Sequence, residues 1–251
     1  MKLVLLGTAG YHPNERRHTA CLVAPELGVV LDAGSGMFRL PQHIITRRLD
    51  ILLSHAHLDH VLGLTYLLDI LRVRPVDEVV VRGAAEKLAS IERHLLSEDL
   101  FPVKLPCRYE PLAGPLELPH PDGGPATRVT PFPLAHPGGS IGFRLDRPDC
   151  SLAYVTDTTA RLDAPYVEVI RGVDLLVHEC NFPDAMADMA ALTGHSCAGA
   201  VAEVARAAGV KRLVLTHLNP LDDSAEFLDL DAARRIFPAI ELGQDRQEIE
   251  I

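Results

Sequence analysis

Within Ser54-His55-Ala56-His57-Leu58-Asp59-His60, four side chains able to bind a metal ion fall inside six residues. One histidine in such a stretch would be read as an ordinary loop residue. Three histidines and an aspartate at this density read as ligands. His55 and His57 are two apart, so an extended backbone points both to the same side. Asp59 and His60 follow at the expected start of a helix, where the dipole favours a carboxylate and a cap to the backbone. A turn between the two pairs lets one short segment serve two ions. Imidazole combined with carboxylate suits zinc, and also manganese or iron.

The elements around this segment must present it. Leu49–Ser54 reads as a strand, and Asp59–Leu71 has helical apolar spacing through Val61, Leu64, Leu67, Leu68 and Leu71. Upstream, Leu3–Leu6, Cys21–Ala24 and Val29–Leu31 read as strands; downstream, Val79–Val81 is a strand and Ala84–Ser97 an amphipathic helix. In the second half Arg128–Leu134, Ile141–Leu145, Ser151–Thr156, Asp174–His178, Arg212–Thr216 and Glu248–Ile251 are expected strands. Helices are expected over Ser196–Ala208 and Asp231–Ile236. Strands in both halves with interspersed helices imply two packed sheets covered by helices on their outer faces. His136, Asp157 and His217 are each the first metal-capable residue beyond an expected strand, so all three can reach a common rim.

These motifs resemble the metallo-β-lactamase superfamily, whose signature is H-x-H-x-D-H and whose fold is a four-layer αββα sandwich of two mixed sheets. The resemblance spans nearly the whole chain. Gly7-Thr8-Ala9-Gly10 and Asp32-Ala33-Gly34 are similar to its N-terminal glycine loop and D-x-G loop. Val177-His178-Glu179-Cys180 and Gly194-His195-Ser196 resemble segments of the ribonuclease Z branch more than the β-lactamases proper, glyoxalase II or the lactonases. It implies that His55, His57 and His136 hold one metal, that Asp59, His60 and His217 hold a second, and that Asp157 bridges them. It further implies a catalytic Asp59, which orients the nucleophile or accepts its proton, and a pair, Glu179 and His195, near the leaving group.

The expected chemistry is dinuclear hydrolysis by a metal-bridging hydroxide, with zinc the favoured ion. Two divalent ions, two carboxylates and one hydroxide sum to a charge of about +1, which favours an anionic phosphodiester, either a small molecule or a nucleotide. The alternatives are a hydrolase of a non-phosphate ester, lactone or sulfate on the same centre, or a non-catalytic binding member of the fold. The net charge of −10 disfavours general nucleic-acid binding. His136 and Asp157 are only 21 positions apart, leaving no room for the Lys/Arg-rich arm with which the branch's tRNA nucleases grip their substrate. Both readings set an expectation against tRNA. At 47% hydrophobic and 23% charged, with no linker or low-complexity run, residues 1–251 are expected to form one folded domain. Five scattered cysteines without a C-x-x-C pair, and no long apolar run, point to free thiols, a cytoplasmic location and no membrane partner. A homodimer is implied by the resemblance alone.

Overall fold

The computed structural model of the protein describes residues 1–221, 228 and 230–251. The first half of the chain supplies β1 (Lys2–Gly7), β2 (Cys21–Ala24), β3 (Val29–Leu31), β4 (Arg48–Leu52), β5 (Glu78–Gly83) and β6 (Arg108–Pro111). The second half supplies β7 (Leu116–Leu118), β8 (Thr127–Leu134), β9 (Ser140–Asp146), β10 (Ser151–Val155), β11 (Leu175–Glu179), β12 (Arg212–Thr216) and β13 (Ile240–Leu242). The last strand, β14 (Glu248–Glu250), returns to pair antiparallel with β1. Two seven-stranded sheets result, ordered β14-β1-β2-β3-β4-β5-β6 and β13-β12-β11-β10-β9-β8-β7.

The period-2 geometry of a strand assigns each apolar residue to a layer. In β1, Leu3 and Leu5 face the seam between the sheets, where they meet Leu22, Leu52, Phe143, Leu152, Val177 and Val214. Val4 and Leu6 face outward, into a cluster with Leu64, Leu67 and Leu88 from the helical side. α1 (Leu58–Val61), α2 (Leu67–Val73) and α3 (Ala85–Ser90) cover this face. On the other sheet Val155, Leu176 and Leu213 pack outward beneath α4 (Tyr166–Val169), α6 (Ala198–Ala208) and α7 (Leu230–Ile236). α5 (Ala187–Thr193) lies before α6. The expected αββα sandwich is therefore the observed architecture, and central strands buried on both faces explain the unbroken apolar runs.

Both sheets are mixed. β3 to β6 run parallel to one another, as do β10 to β13, so within each set the carboxyl ends emerge together. β8 is antiparallel to β9, which is antiparallel to β10, so β8 also ends on the second sheet's rim. The two rims are stitched by the Ile141 N–H, which donates to the Ser54 carbonyl at 3.0 Å.

Several expectations need correction. The helix expected over Asp59–Leu71 is broken into α1, a 3-10 turn over Leu62–Tyr66, and α2. The reason is a competing set of hydrogen bonds. The Gly63 N–H donates to Ala33 O at 2.7 Å, and His60 O accepts from the Ala33 N–H at 2.8 Å, so the segment is tied to the Asp32–Gly34 loop. Only glycine permits this approach, because a Cβ at Gly63 would lie 2.3 Å from Gly34 O. The helix expected over Ala84–Ser97 ends at Ser90 and continues as a π turn over Ile91–Leu95. Strands β6, β7 and β13 and helices α4 and α5 have no counterpart in the sequence reading. β6 is held partly by ion pairs, Arg82 with Glu110 at 2.6 Å and Arg108 with Glu78, and so carries no apolar alternation. All five cysteines are free thiols. No helix of the described residues is long and apolar enough to cross a membrane.

Candidate metal centre

Every expected ligand follows a strand end. β4 stops at Leu52, so His55 and His57 sit in the loop beyond it rather than on the strand, and Asp59 and His60 occupy α1. His136 follows β8, Asp157 follows β10 and His217 follows β12. Asp157 and His217 both adopt left-handed backbone, with φ of 33° and 55°. Such values are unfavourable for residues carrying a Cβ and cluster at functional sites.

The side chains converge in two groups. Ligand atoms of His55, His57, His136 and Asp157 lie within 4.8 Å of one another, as do those of Asp59, His60 and His217. Asp157 Oδ2 faces the first group, 3.5 Å from His55 Nε2 and 3.4 Å from His136 Nε2. Its Oδ1 faces the second, 3.2 Å from both His60 Nε2 and His217 Nε2. Asp59 Oδ2 lies 3.3 Å from His217 Nε2 and 3.4 Å from His60 Nε2. The edge of a tetrahedron drawn around zinc, with bonds of 2.0–2.1 Å, is about 3.3 Å. The separations thus fit four-coordinate ions. Buried His55 Nε2 has no hydrogen-bond partner, and His60 Nε2 and His217 Nε2 face each other at 3.1 Å. Both features fit a set of nitrogen donors arranged for a cation.

The opposite ring nitrogens are held from behind. His60 Nδ1 lies 2.8 Å from Asp32 Oδ2, and His136 Nδ1–H donates to Gly194 O at 3.0 Å. His55 Nδ1 meets Ser54 Oγ at 2.9 Å. These contacts leave each Nε2 for the centre and fix the rings. Asp32 is the hub: fully buried and left-handed at φ 56°, it also accepts from Ser54 N, Ser54 Oγ and Tyr154 Oη at 2.8 to 2.9 Å.

Asp59 does not cap its helix. The cap position belongs to His57, without a side-chain cap bond. The Asp59 carboxylate instead turns to the centre and accepts the Tyr11 N–H at 2.7 Å. Burial lowers the basicity of His55, His57 and His136, which neighbouring imidazoles lower further, so all three offer neutral lone pairs. Burial also opposes charge on His60 and His217. There the carboxylates of Asp157 and Asp59 outweigh it and push both pKa values up. Burial likewise works against ionised Asp59 and Asp157, but the surrounding imidazoles hold both well below the usual carboxylate range.

Glu179 and His195 meet beside this centre. His195 Nδ1–H donates to buried Glu179 Oε1 at 3.2 Å, while Glu179 also accepts the Thr158 N–H at 2.9 Å and the Ser196 N–H at 3.3 Å. The His195 ring lies 5.2 Å from those of His136 and His217, and its ligand atom falls within reach of Asp157 and His217. With Nδ1 occupied, Nε2 is the nitrogen that faces the centre.

Three groups around the site escaped the sequence reading. Asn181 Nδ2 donates to His217 O at 3.0 Å. Asp245 accepts from Thr8 N, Thr8 Oγ1 and His18 N, and pairs with buried Arg39, so it clasps the N-terminal loop. Tyr154 supports Asp32. No local spacing marks these residues, since their partners lie 36 to 237 positions away.

The sequence profile of the β-lactamase superfamily domain family matches residues 28–218. Ribonuclease Z of Nocardia farcinica is 31% identical over 273 aligned positions, with 87% of each chain covered. Ribonuclease Z of a Bradyrhizobium species is 30% identical over 318 positions, covering 100% of this chain and 99% of that one. Among solved structures, the metallo-β-lactamase fold protein YhfI from Bacillus subtilis superposes with a TM-score of 0.82 at 19% identity, with 99% of each chain covered. The short form of human tRNase Z gives 0.76 at 22% identity, covering 100% of this chain and 99% of that one. At such identities the two structures speak for the fold.

Proposed function

The chain belongs to the β-lactamase superfamily, in its ribonuclease Z branch, and on that premise we propose that it hydrolyses phosphodiesters at a pair of divalent ions held by the seven convergent residues. The observation that carries the reading is Asp157, whose two oxygens face different ligand groups. His55, His57 and His136 are the proposed ligands of one ion, Asp59, His60 and His217 those of the other, and zinc is the ion that best fits their separations. Ions bound there supply positive charge for the phosphoryl oxygens and acidify water enough to give a nucleophile at neutral pH.

The chain's own groups supply the rest. Asp59, anchored by the Tyr11 N–H, orients the nucleophile or accepts its proton. Glu179 holds His195 by Nδ1, so Nε2 can deliver a proton to the departing alkoxide. Two backbone amides immobilise Glu179, and this arrangement costs no reorganisation during the reaction.

The expectation against tRNA finds no support in the relatives, which are named ribonuclease Z. An alignment of 318 positions over 251 residues does open gaps in this chain. Metal-loaded protein assayed on bis(p-nitrophenyl) phosphate, p-nitrophenyl acetate, p-nitrophenyl sulfate and a precursor tRNA with a 3′ trailer tests the proposal. Turnover of the phosphodiester, lost on chelation and restored by zinc or manganese, is expected. Turnover confined to the carboxyl or sulfate ester would overturn it.

A further inference from the structure

Tyr11 stands in an unusual position for a large aromatic residue. Its backbone is left-handed, with φ of 62°, a region that penalises any residue carrying a Cβ. Packing does not explain its presence there, because the side chain is 78% exposed. Neither backbone preference nor burial accounts for a tyrosine at this point, where glycine would fit without strain.

The position is also tied to the centre. The Tyr11 N–H donates to Asp59 Oδ2 at 2.7 Å, so bond lengths alone keep the phenol within roughly 11 Å of that carboxylate. The loop is pinned on both sides of the ring. The Gly10 N–H donates to Leu218 O at 2.9 Å, the Leu218 N–H donates to Thr8 O at 2.9 Å, and Asn14 Nδ2 donates to Pro220 O at 3.0 Å. The His12 imidazole, 5.2 Å away and inclined at 61°, buttresses the phenol edge to face. An exposed ring on a pinned backbone, no farther than about one nucleoside's length from the proposed phosphoryl-binding centre, has the features of a stacking platform, and such platforms bind every base because each has a π-face.

We propose that Tyr11 stacks on the base of the nucleoside attached to the scissile phosphate, making it a specificity residue for nucleotidyl over alkyl phosphodiesters. This rests on the phosphodiesterase reading above.

The test compares thymidine 5′-(p-nitrophenyl phosphate) with methyl p-nitrophenyl phosphate, alongside calorimetric binding of thymidine 5′-monophosphate and methyl phosphate. In Tyr11→Ala the thymidine-to-methyl ratio of kcat/KM is expected to fall about 30-fold, the middle of the range for one stacked base, and the ratio of affinities to fall with it. Tyr11→Phe restores both ratios. Tyr11→Gly relieves the left-handed strain, so its melting temperature should equal or exceed the parent's while the ratios stay low. Equal losses on both substrates, or unchanged ratios, overturn the proposal. If the parent hydrolyses neither substrate yet Tyr11→Ala still loses nucleotide binding selectively, the hydrolase reading fails and the platform stands.

Discussion

Gly10→Ala tests the centre without replacing a proposed ligand. Gly10 lies against the His217 ring. A Cβ there would sit 2.3 Å from Cε1, 2.4 Å from Nδ1 and 2.9 Å from Asn181 Nδ2. Carbon and nitrogen atoms in contact need about 3.5 Å, so the imidazole must retreat by roughly 1 Å. Metal–nitrogen bonds tolerate displacements of only about 0.2 Å. His217 therefore leaves the second group, while His55, His57, His136 and Asp157 remain in place. Metal analysis of purified Gly10→Ala should give about one ion per chain instead of two. Phosphodiester turnover should fall by about 100-fold, the usual cost of a displacement this large. The fold should lose no more than about 1–3 kcal/mol, the ordinary cost of overpacking. Gly194→Ala is the counterpart at the first group, with backbone strain added because Gly194 is left-handed at φ 76°. Its Cβ would lie 2.5 Å from Pro137 Cδ and 3.0 Å from His136 Nδ1, so the first group should suffer. If Gly10→Ala keeps two ions and parental turnover, His217 does not hold an ion with Asp59 and His60.

Two further substitutions separate the supporting roles. His195→Ala should cut kcat by about 10²–10⁴ on a diester with an alkoxide leaving group and by much less on a p-nitrophenolate, with metal content unchanged. A loss of metal would instead assign His195 as a ligand beside Asp157 and His217. Asp32→Ala strands the Ser54, Tyr154 and His60 donors in a fully buried pocket. Urea titration should show a loss of about 3–5 kcal/mol, and metal affinity should drop about 10–100-fold. An undisturbed unfolding midpoint would remove Asp32 from the account of how His60 is held.

Much of the site can be read from the chain because its information is local. Five proposed ligand positions follow apolar runs whose period marks a strand, and residue type at a strand end suffices to nominate them: His55, His57, His136, Asp157 and His217. Asp59 and His60 follow from their spacing to the first two. The layered fold is equally legible, since central strands buried on both faces must be apolar throughout, as Leu3–Leu6 is. Elements held by non-apolar means are not. β6 depends partly on cross-strand ion pairs, and α5 keeps Met189 and Leu192 exposed, so neither leaves a periodic trace.

What only the tertiary structure decides is which nitrogen faces the candidate centre, and which group holds each proposed ligand still. The sequence also allows Asp59 to cap its helix. The Tyr11 N–H, brought from 48 positions away, turns its carboxylate to the centre instead. The sequence supports an unbroken helix after Asp59. The Ala33 carbonyl captures the Gly63 N–H and breaks it. Local periodicity records what a residue prefers among its neighbours in the chain, whereas a hydrogen bond across the fold, from Thr8 to Asp245 or from Tyr154 to Asp32, exists only once both sheets are packed. The candidate ligands were therefore written in the sequence, and the framework that aims them was set by the packing.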